Sequence, residues 1–229
     1  MTRRTLIETR ALDKTFGFAP VLRGVNLRVA GGRGLLVAGR NGAGKSTLIA
    51  LLAGLQRPSA GAAMLFGADS RSLAPDLRRR VGILTHQSFL YPNLTARENL
   101  EFFGALYGSR DAGAVADAWL DRVGLAIAAD ERVRDFSRGM ERRLSLARAM
   151  LATPEVLLMD DPFEALDAEG TALTVAVTAE AMARGCAVVM TAHQAVAPSG
   201  LTLELAELAH GRLLSRGDQL VAPPAEAAR

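Results

Sequence analysis

Gly39-Arg40-Asn41-Gly42-Ala43-Gly44-Lys45-Ser46, continued by Thr47, is the stretch on which the fold turns. It fits the pattern G-x-x-x-x-G-K-[ST]. Its glycines let the backbone wrap closely around a phosphate with the N–H groups pointing inward. The run just before it, Leu35-Leu36-Val37-Ala38, is apolar throughout, as a strand buried on both faces is. The run after it, Ser46 to Leu55, has a helical pattern that stops at Gly54 and Pro58. A strand, a glycine-rich loop and a helix in this order make an anion site, because loop amides and the positive helix end converge. In such a site the Lys45 ammonium bridges the β- and γ-phosphates of a nucleotide, and the Ser46 hydroxyl goes to Mg²⁺.

A phosphate loop needs an acidic partner at the end of another buried strand. Val156-Leu157-Leu158-Met159-Asp160-Asp161 supplies one. Adjacent carboxylates repel when buried without a cation, and a strand tip beside a metal and water suits them. Asp160 is expected to hold the metal through its hydration shell, and Asp161 to polarise the attacking water. Without the phosphate loop, the same residues read as a solvated acidic turn before Pro162.

Outward from these two stretches, Leu6 to Leu12 and Val25 to Val29 alternate as half-buried strands do, and Gly31 to Gly34 is a turn. Ala62 to Phe66 and Val81 to Thr85 read as further strands. From Phe89 to Leu151 the pattern becomes helical. Thr95 with Glu98 forms a capping box that opens a helix reaching Tyr107, followed by helices over Asp111–Val123 and Arg138–Leu151. Ala168 to Arg184 is a helix and Ala187 to Met190 a strand, so the order predicts a parallel sheet with right-handed crossovers. Seven of the eleven aromatic residues lie between positions 89 and 136. They make either a second small core or a docking surface for a partner.

The composition bounds the function classes. The chain has 229 residues, 27 Lys+Arg against 24 Asp+Glu, and a net charge of +3, too little to argue for nucleic acid. Hydrophobic residues make up 49% and charged residues 22%, as in a soluble globular domain. No apolar run nears the roughly 18 residues of a membrane span, and no apolar region follows Arg3 and Arg4 as in a signal peptide. Cys186 is the only cysteine, which excludes an intramolecular disulfide and a cysteine zinc cluster and fits a reducing compartment. It opens a strand and reads as packing, while His86 and His210 read as loop histidines. The bases are spelled as arginine except for Lys14 and Lys45. Arg78-Arg79-Arg80 is either solvated surface or a contact for anionic lipid or a partner.

Taken in order, these residues resemble the ATP-binding-cassette (ABC) ATPases over nearly the whole chain. Gly39 to Thr47 matches the phosphate loop, and Gln87 the glutamine of the Q-loop. Phe136-Ser137-Arg138-Gly139-Met140 looks like the signature motif opening its helix. Asp160-Asp161 looks like the Walker B acid pair, Glu164-Ala165-Leu166-Asp167 like the D-loop, and His193 like the switch histidine. Phe16 stands where the family stacks an aromatic on adenine, with Phe18 as its rival. The resemblance implies an α/β fold: a P-loop nucleoside-triphosphatase core with an antiparallel β subdomain and a helical subdomain at about 88–152. It implies one ATP-binding domain over 1–222, and the Ala/Pro-rich end from Pro223 reads as a frayed tail at 223–229.

It further implies ATP and Mg²⁺ as ligands and ATP hydrolysis as the activity. The catalytic residues would be Asp161, His193 and Gln87, and the metal ligands Ser46, Gln87 and Asp160. The nucleotide would be held by Phe16, Gly39, Arg40, Asn41, Gly42, Ala43, Gly44, Lys45, Ser46 and Thr47. Across a head-to-tail pairing with a second ATPase domain, expected to be a homodimer, Ser137, Arg138, Gly139 and Asp167 would join them. The other implied partner is an integral-membrane permease, no nucleic acid is expected, and the site of action would be the cytoplasmic face of the cell membrane. Two residues depart from the family pattern. The signature more usually reads LSGGQ, and Arg138 either adds charge near the phosphates or faces solvent. Asp161 stands where glutamate is usual, one methylene shorter. The signature, the Asp-Pro-Phe after Walker B and Thr191-Ala192-His193-Gln194 are similar to the haem-exporter ATPases of cytochrome c maturation. Other implied readings are a degenerate regulatory nucleotide-binding subunit and a non-transport ABC ATPase.

Overall fold

The computed structural model describes residues 4–215. Two long strands come first, β1 (Thr5–Phe16) and β2 (Ala19–Ala30), paired antiparallel through the turn Gly17–Phe18. The apolar run becomes β3 (Gly34–Ala38), and after the glycine loop comes α1 (Lys45–Leu52). This helix stops short of Leu55 because Gly54 takes a φ of +71° against the carbonyl of Ser70, where a Cβ would lie 2.4 Å away. Strands β4 (Ala60–Leu65) and β5 (Ala68–Asp69) follow, then a one-turn α2 (Pro75–Arg78) and β6 (Val81–Leu84). Helices α3 (Ala96–Leu106), α4 (Ala112–Arg122) and α5 (Arg138–Met150) fill the middle of the chain. Strand β7 (Val156–Met159), helix α6 (Ala168–Ala183) and strand β8 (Ala187–Ala192) come next. A hairpin of β9 (Glu204–Ala209) and β10 (Arg212–Ser215) ends the described chain.

The strands form two sheets. One is antiparallel, in the order β2-β1-β4-β5; the other has six strands in the order β10-β9-β3-β8-β7-β6. In the six-stranded sheet β3 is parallel to β8 and β9, and β7 is parallel to β8 and β6, while β10 runs antiparallel to β9. The parallel sheet and the antiparallel β layer match the sequence expectation. The hairpin β9–β10 does not appear in it. Glu204-Leu205-Ala206-Glu207-Leu208-Ala209 is built of good helix formers, yet the backbone of β9 is claimed by β3. His210 and Gly211 both take positive φ, +50° and +77°, so the hairpin closes with a primed turn that suits strand twist.

The buried strands divide their side chains by alternation. Leu35, Val37, Val156, Leu158 and Val189 enter one core, with Leu48, Leu51 and Leu52 of α1 and the inner face of the antiparallel sheet. Leu36, Leu157, Met159, Val188 and Met190 enter the opposite core, with Leu146 and Met150 of α5 and Val177 and Ala181 of α6. A strand apolar at every position is what a sheet covered on both faces requires.

The helical region has its own core of Ala96, Leu100, Ala116, Leu120, Val123 and Leu144, joined by partly buried Trp119 and Phe136. Its first helix starts on the capping box expected at Thr95, whereas Asp111, expected as the first residue of a helix, caps one instead. Thr95 Oγ1 accepts from Glu98 N at 3.1 Å and Thr95 N donates to Glu98 Oε2 at 2.8 Å, while Asp111 and Ser137 cap α4 and α5. The aromatic residues divide between interior and surface. Phe103 is buried, whereas Phe89, Tyr91 and Phe102 are exposed, and Tyr91 meets Phe102 edge-on at 5.1 Å. The expected tail 223–229 lies outside the described residues, as does 216–222.

Cys186 packs among apolar side chains at the start of β8, and burial pushes its thiol up to about 12. A thiolate is the reactive form, so the folded protein is expected to resist iodoacetamide at pH 8 and to label fully once unfolded in guanidinium chloride. Mass spectrometry of the two samples checks this, and rapid labelling of the native chain would contradict the packing.

Candidate active site

The phosphate loop leaves the carboxyl end of β3. Gly39 N donates to Ala192 O at the end of β8 (3.2 Å), which pins the loop to its neighbouring strand. A Cβ at Gly39 would sit 2.6 Å from Leu208 O, so no larger residue fits there. Gly42 and Gly44 hold φ of +78° and +102°, the left-handed turns that close the loop. Lys45 is only 5% exposed. Its ammonium donates to Gly39 O at 2.9 Å and Arg40 O at 3.5 Å. A buried cation whose hydrogen bonds end on carbonyls of its own loop has positive charge to offer a ligand. Helix α1 has no side-chain cap and no acidic residue in its first turn, so its leading amides are open as well. The residues present therefore fit a polyphosphate. Ser46 is exposed beside Lys45, and Arg40 and Asn41 are exposed on the rim. A cleft of about 780 Å³ runs along the outer side of the loop, lined by Val21, Arg23, Arg40, Gly42 and His210 among others.

The acids stand at the end of β7. Asp160 is 5% exposed, and its Oδ1 accepts from Thr191 Oγ1 at 2.7 Å. The same hydroxyl oxygen accepts from Asp161 N at 2.9 Å. One buried threonine thus fixes both acids, a role that a lone Thr in an apolar strand does not announce. Asp161 leaves the strand with a φ of +43°, a conformation that costs a non-glycine residue about 1–3 kcal/mol and needs support from its surroundings. His193 Nε2 lies 3.7 Å from Asp161 Oδ2, and His86 Nδ1 lies 3.7 Å from Asp160 Oδ2. Burial pushes the Asp161 carboxyl above its ordinary value; His193 and Lys45 oppose the shift, while Asp160 and Glu164 add to it. A carboxylate so placed is a better proton acceptor than a solvated one.

Two further residues escaped the sequence reading. Arg142, inside α5, sends its guanidinium to three backbone carbonyls: Thr85 O at 2.5 Å, Asp160 O at 2.7 Å and Asp161 O at 2.6 Å. Within Arg142-Arg143 it looks like part of a solvated basic run. Arg148, six residues on and buried, donates to Ile83 O at 2.5 Å and lies over the rings of Phe89 and Phe103, 5.4 Å from each centroid.

The remaining expected residues lie further out. Gln87 is exposed in the loop after β6, where its carbonyl accepts from Thr85 Oγ1 at 3.0 Å. Phe16 is 47% exposed at the end of β1 with the Lys14 ammonium 4.7 Å from its ring centroid, and Phe18 is fully exposed at the turn. Lys14 also donates to Arg57 O at 2.8 Å, so it is engaged rather than merely solvated. Ser137 Oγ accepts from Met140 N at 3.2 Å, capping α5, and Ser137 and Arg138 are exposed. Gly139 abuts the segment after β7, where a Cβ would lie 3.3 Å from Ala165 O. Asp167 Oδ1 accepts from Gly170 N at 2.8 Å as the cap of α6. A second cleft, about 240 Å³, lies between the segment after β6, α5 and the segment after β7, with Arg138, Glu141 and Glu164 in its wall. The chain thus assembles Lys45, Asp160, Asp161, His86 and His193 in one place, and leaves the signature residues outward at a separate helix end.

Thr191→Val keeps the shape of this side chain but removes the hydroxyl. It leaves a buried carboxylate oxygen and the Asp161 amide without their partner, so a loss of about 1–3 kcal/mol is expected in urea unfolding, together with slower nucleotide hydrolysis. Stability equal to that of the parent would remove the bridge from the account.

The sequence model of the ABC transporter family matches residues 22–164. The chain is 37% identical over 215 residues to the daunorubicin resistance ATP-binding protein DrrA3 of Streptomyces coeruleorubidus, covering 93% of this chain and 68% of that protein. It is 35% identical over 213 residues to the Nod factor export ATP-binding protein I of Burkholderia lata, covering 92% of this chain and 70% of that protein. Among solved structures, the ATP-binding subunit of an ABC transporter superposes with a TM-score of 0.83 at 26% identity, covering 91% of this chain and 88% of that one. The dimeric ATP-binding cassette MJ0796 bound to ADP and Pi shares the fold, with a TM-score of 0.80 at 22% identity over 93% of this chain and 100% of that one.

Proposed function

The chain belongs to the ABC transporter family as an ATP-binding subunit with ATPase activity, and from that premise we propose that it powers export through a separate membrane-spanning permease. The carrying observation is the division of the site. One chain gathers a buried lysine, two carboxylates and His193 at the ends of parallel strands. Its serine-capped α5 terminus, itself an anion site, points elsewhere and is exposed. Such halves become complete when two copies pair head to tail. Ser137, Arg138 and Gly139 of one copy then face the γ-phosphate held by Lys45 of the other, with Asp167 near the seam. Phe16 offers its ring to the adenine.

Within one copy, Lys45 and the loop amides from Gly39 to Thr47 hold and orient the phosphates. Asp161 takes the proton of the attacking water, and His193, beside it, stays within reach of the γ-phosphate. Ser46, Gln87 and Asp160 suit Mg²⁺, a hard cation that takes one or two protein oxygens together with phosphate oxygens and water. Bound there, it would neutralise charge developing on the phosphates.

Export as the direction rests on the name of the Nod factor relative. The haem-exporter reading of the signature draws no support from the relatives named above, which are a drug-resistance and a Nod factor protein. No helix among the described residues is long and apolar enough to cross a membrane, in keeping with a pore formed by another chain at the inner face of the cell membrane. The exposed aromatic group of Tyr91 and Phe102 is the surface we assign to that permease.

Lys45→Arg keeps charge but replaces a compact ammonium by a planar fork too broad for the crowded loop, so hydrolysis is expected to fall at least tenfold. Retained turnover would overturn the loop assignment. Asp161→Glu lengthens the arm toward the water and is expected to raise turnover, which steady-state phosphate release measures; an unchanged or slower variant would end the idea that aspartate limits the rate. Asp161→Asn is expected to accumulate ATP-bound dimers, visible by light scattering as a doubling of mass on adding ATP.

A further inference from the structure

We propose that Arg142 is a positioning residue for hydrolysis: it clamps the backbone around Asp161 and thereby aims the carboxylate that takes the proton from water. The proposal rests on the assignment of Asp161 given above. Strand β6 is the edge of the six-stranded sheet. Its Leu84 carbonyl is used inward by Asp160 N at 2.7 Å, so the carbonyls of Ile83 and Thr85, alternate along the strand, face the side where no further strand lies. Helix α5 covers that side and sends one arginine to each: Arg148 to Ile83 O and Arg142 to Thr85 O. Were edge capping the whole role of both, they would be equivalent.

They are not equivalent. Arg142 goes on to the carbonyls of Asp160 and Asp161, both from Nη2, at 2.7 and 2.6 Å. The relative orientation of two consecutive carbonyls is set by φ and ψ of the residue that carries the second, here Asp161. That residue holds a φ of +43°, in the left-handed region. Holding both oxygens to one nitrogen therefore fixes the Asp161 backbone and the direction of its Cα–Cβ bond. From the far side, Thr191 Oγ1 holds Asp161 N at 2.9 Å. The guanidinium is given over to carbonyls, and its Nε, buried without a partner, adds nothing else. Among the described residues no carboxylate competes for it within ion-pair distance, although Asp160, Asp161 and Glu164 are close enough to be felt. Because Arg142 belongs to the helix that opens with Ser137, the clamp also links the signature terminus to the acid of the same copy.

The test uses the full chain and compares Arg142→Met, Arg142→Gln and Arg142→Lys with Arg148→Met, which removes the neighbouring arginine that meets β6, two rings and the Tyr107 hydroxyl but neither acid. Each is measured for kcat and KM in ATP hydrolysis, for affinity toward a non-hydrolysed ATP analogue, and for thermal stability. The clamp predicts that Arg142→Met lowers kcat at least tenfold while KM and analogue affinity change by less than about threefold. It predicts that Arg142→Lys, a single flexible donor, restores stability more than kcat. Arg148→Met is expected to lower stability but to keep kcat per folded molecule within about twofold. In an Asp161→Asn background, Arg142→Met should cost no further hydrolysis. If all four single variants lose activity only in proportion to their folded fraction, the arginine is a structural cap and the proposal is wrong; Arg142→Gln, which keeps an amide donor, serves that comparison if Arg142→Met does not fold. If Asp161→Asn itself retains full turnover, the assignment of the acid fails instead, whatever Arg142 does.

Discussion

Parallel pairing of β3, β8 and β7 is the constraint from which the site follows. Parallel strands bring their carboxyl ends to one edge of the sheet, and whatever the chain carries just beyond those ends is gathered there. Beyond β3 the chain carries the glycine loop, beyond β7 the acid pair, and beyond β8 His193. The register is as important as the direction. Val37 pairs with Thr191, and Met159 with Met190, which sets the threonine hydroxyl beside Asp160 and the Asp161 amide. A one-residue slip would turn that hydroxyl to the opposite face and bring an apolar side chain in its place.

Much of this was legible in the residues. The apolar runs of β3 and β7 and the loop between β3 and α1 were read as they stand, since they depend on local pattern alone. The helix opened by Thr95 is equally plain, because its cap acts on an amide three residues away, as do the caps Asp111 and Ser137. What was not legible depends on distant partners. The β9 segment is spelled in helix formers, and its pairing with β3 overrides them. The reach of Arg142 spans 57 residues to Thr85 and 19 to Asp161, and an arginine bound to carbonyls has no complementary charge in the sequence to betray it. Nor does composition mark Asp161 as a residue of left-handed backbone.

The arginine excess takes on a physical meaning in this light. As a bulk property it yields a small net charge and little else. Inside the fold, two of these guanidiniums do what a further strand would do, offering N–H groups to the open edge of β6. A planar donor group of fixed shape suits that task, and covering an edge in this way also denies it to another chain. Burial makes both guanidiniums easier to deprotonate than usual, and the nearby carboxylates of Asp160, Asp161 and Glu164 counter this for Arg142.

The hairpin at the end of the described chain has a bearing on how the molecule is made. The turn carbonyl of Gly211 accepts from Arg23 N, and Leu208 O crowds Gly39, so the last strands brace both an early strand and the phosphate loop. On a ribosome the loop emerges long before its brace: Leu208 follows Gly39 by 169 residues (208 − 39). The nascent chain therefore carries a phosphate loop that lacks its wall until almost the whole domain has been synthesised. The packing of the phosphate loop is thus settled by a segment made long after the loop itself, as in a domain that folds as a unit.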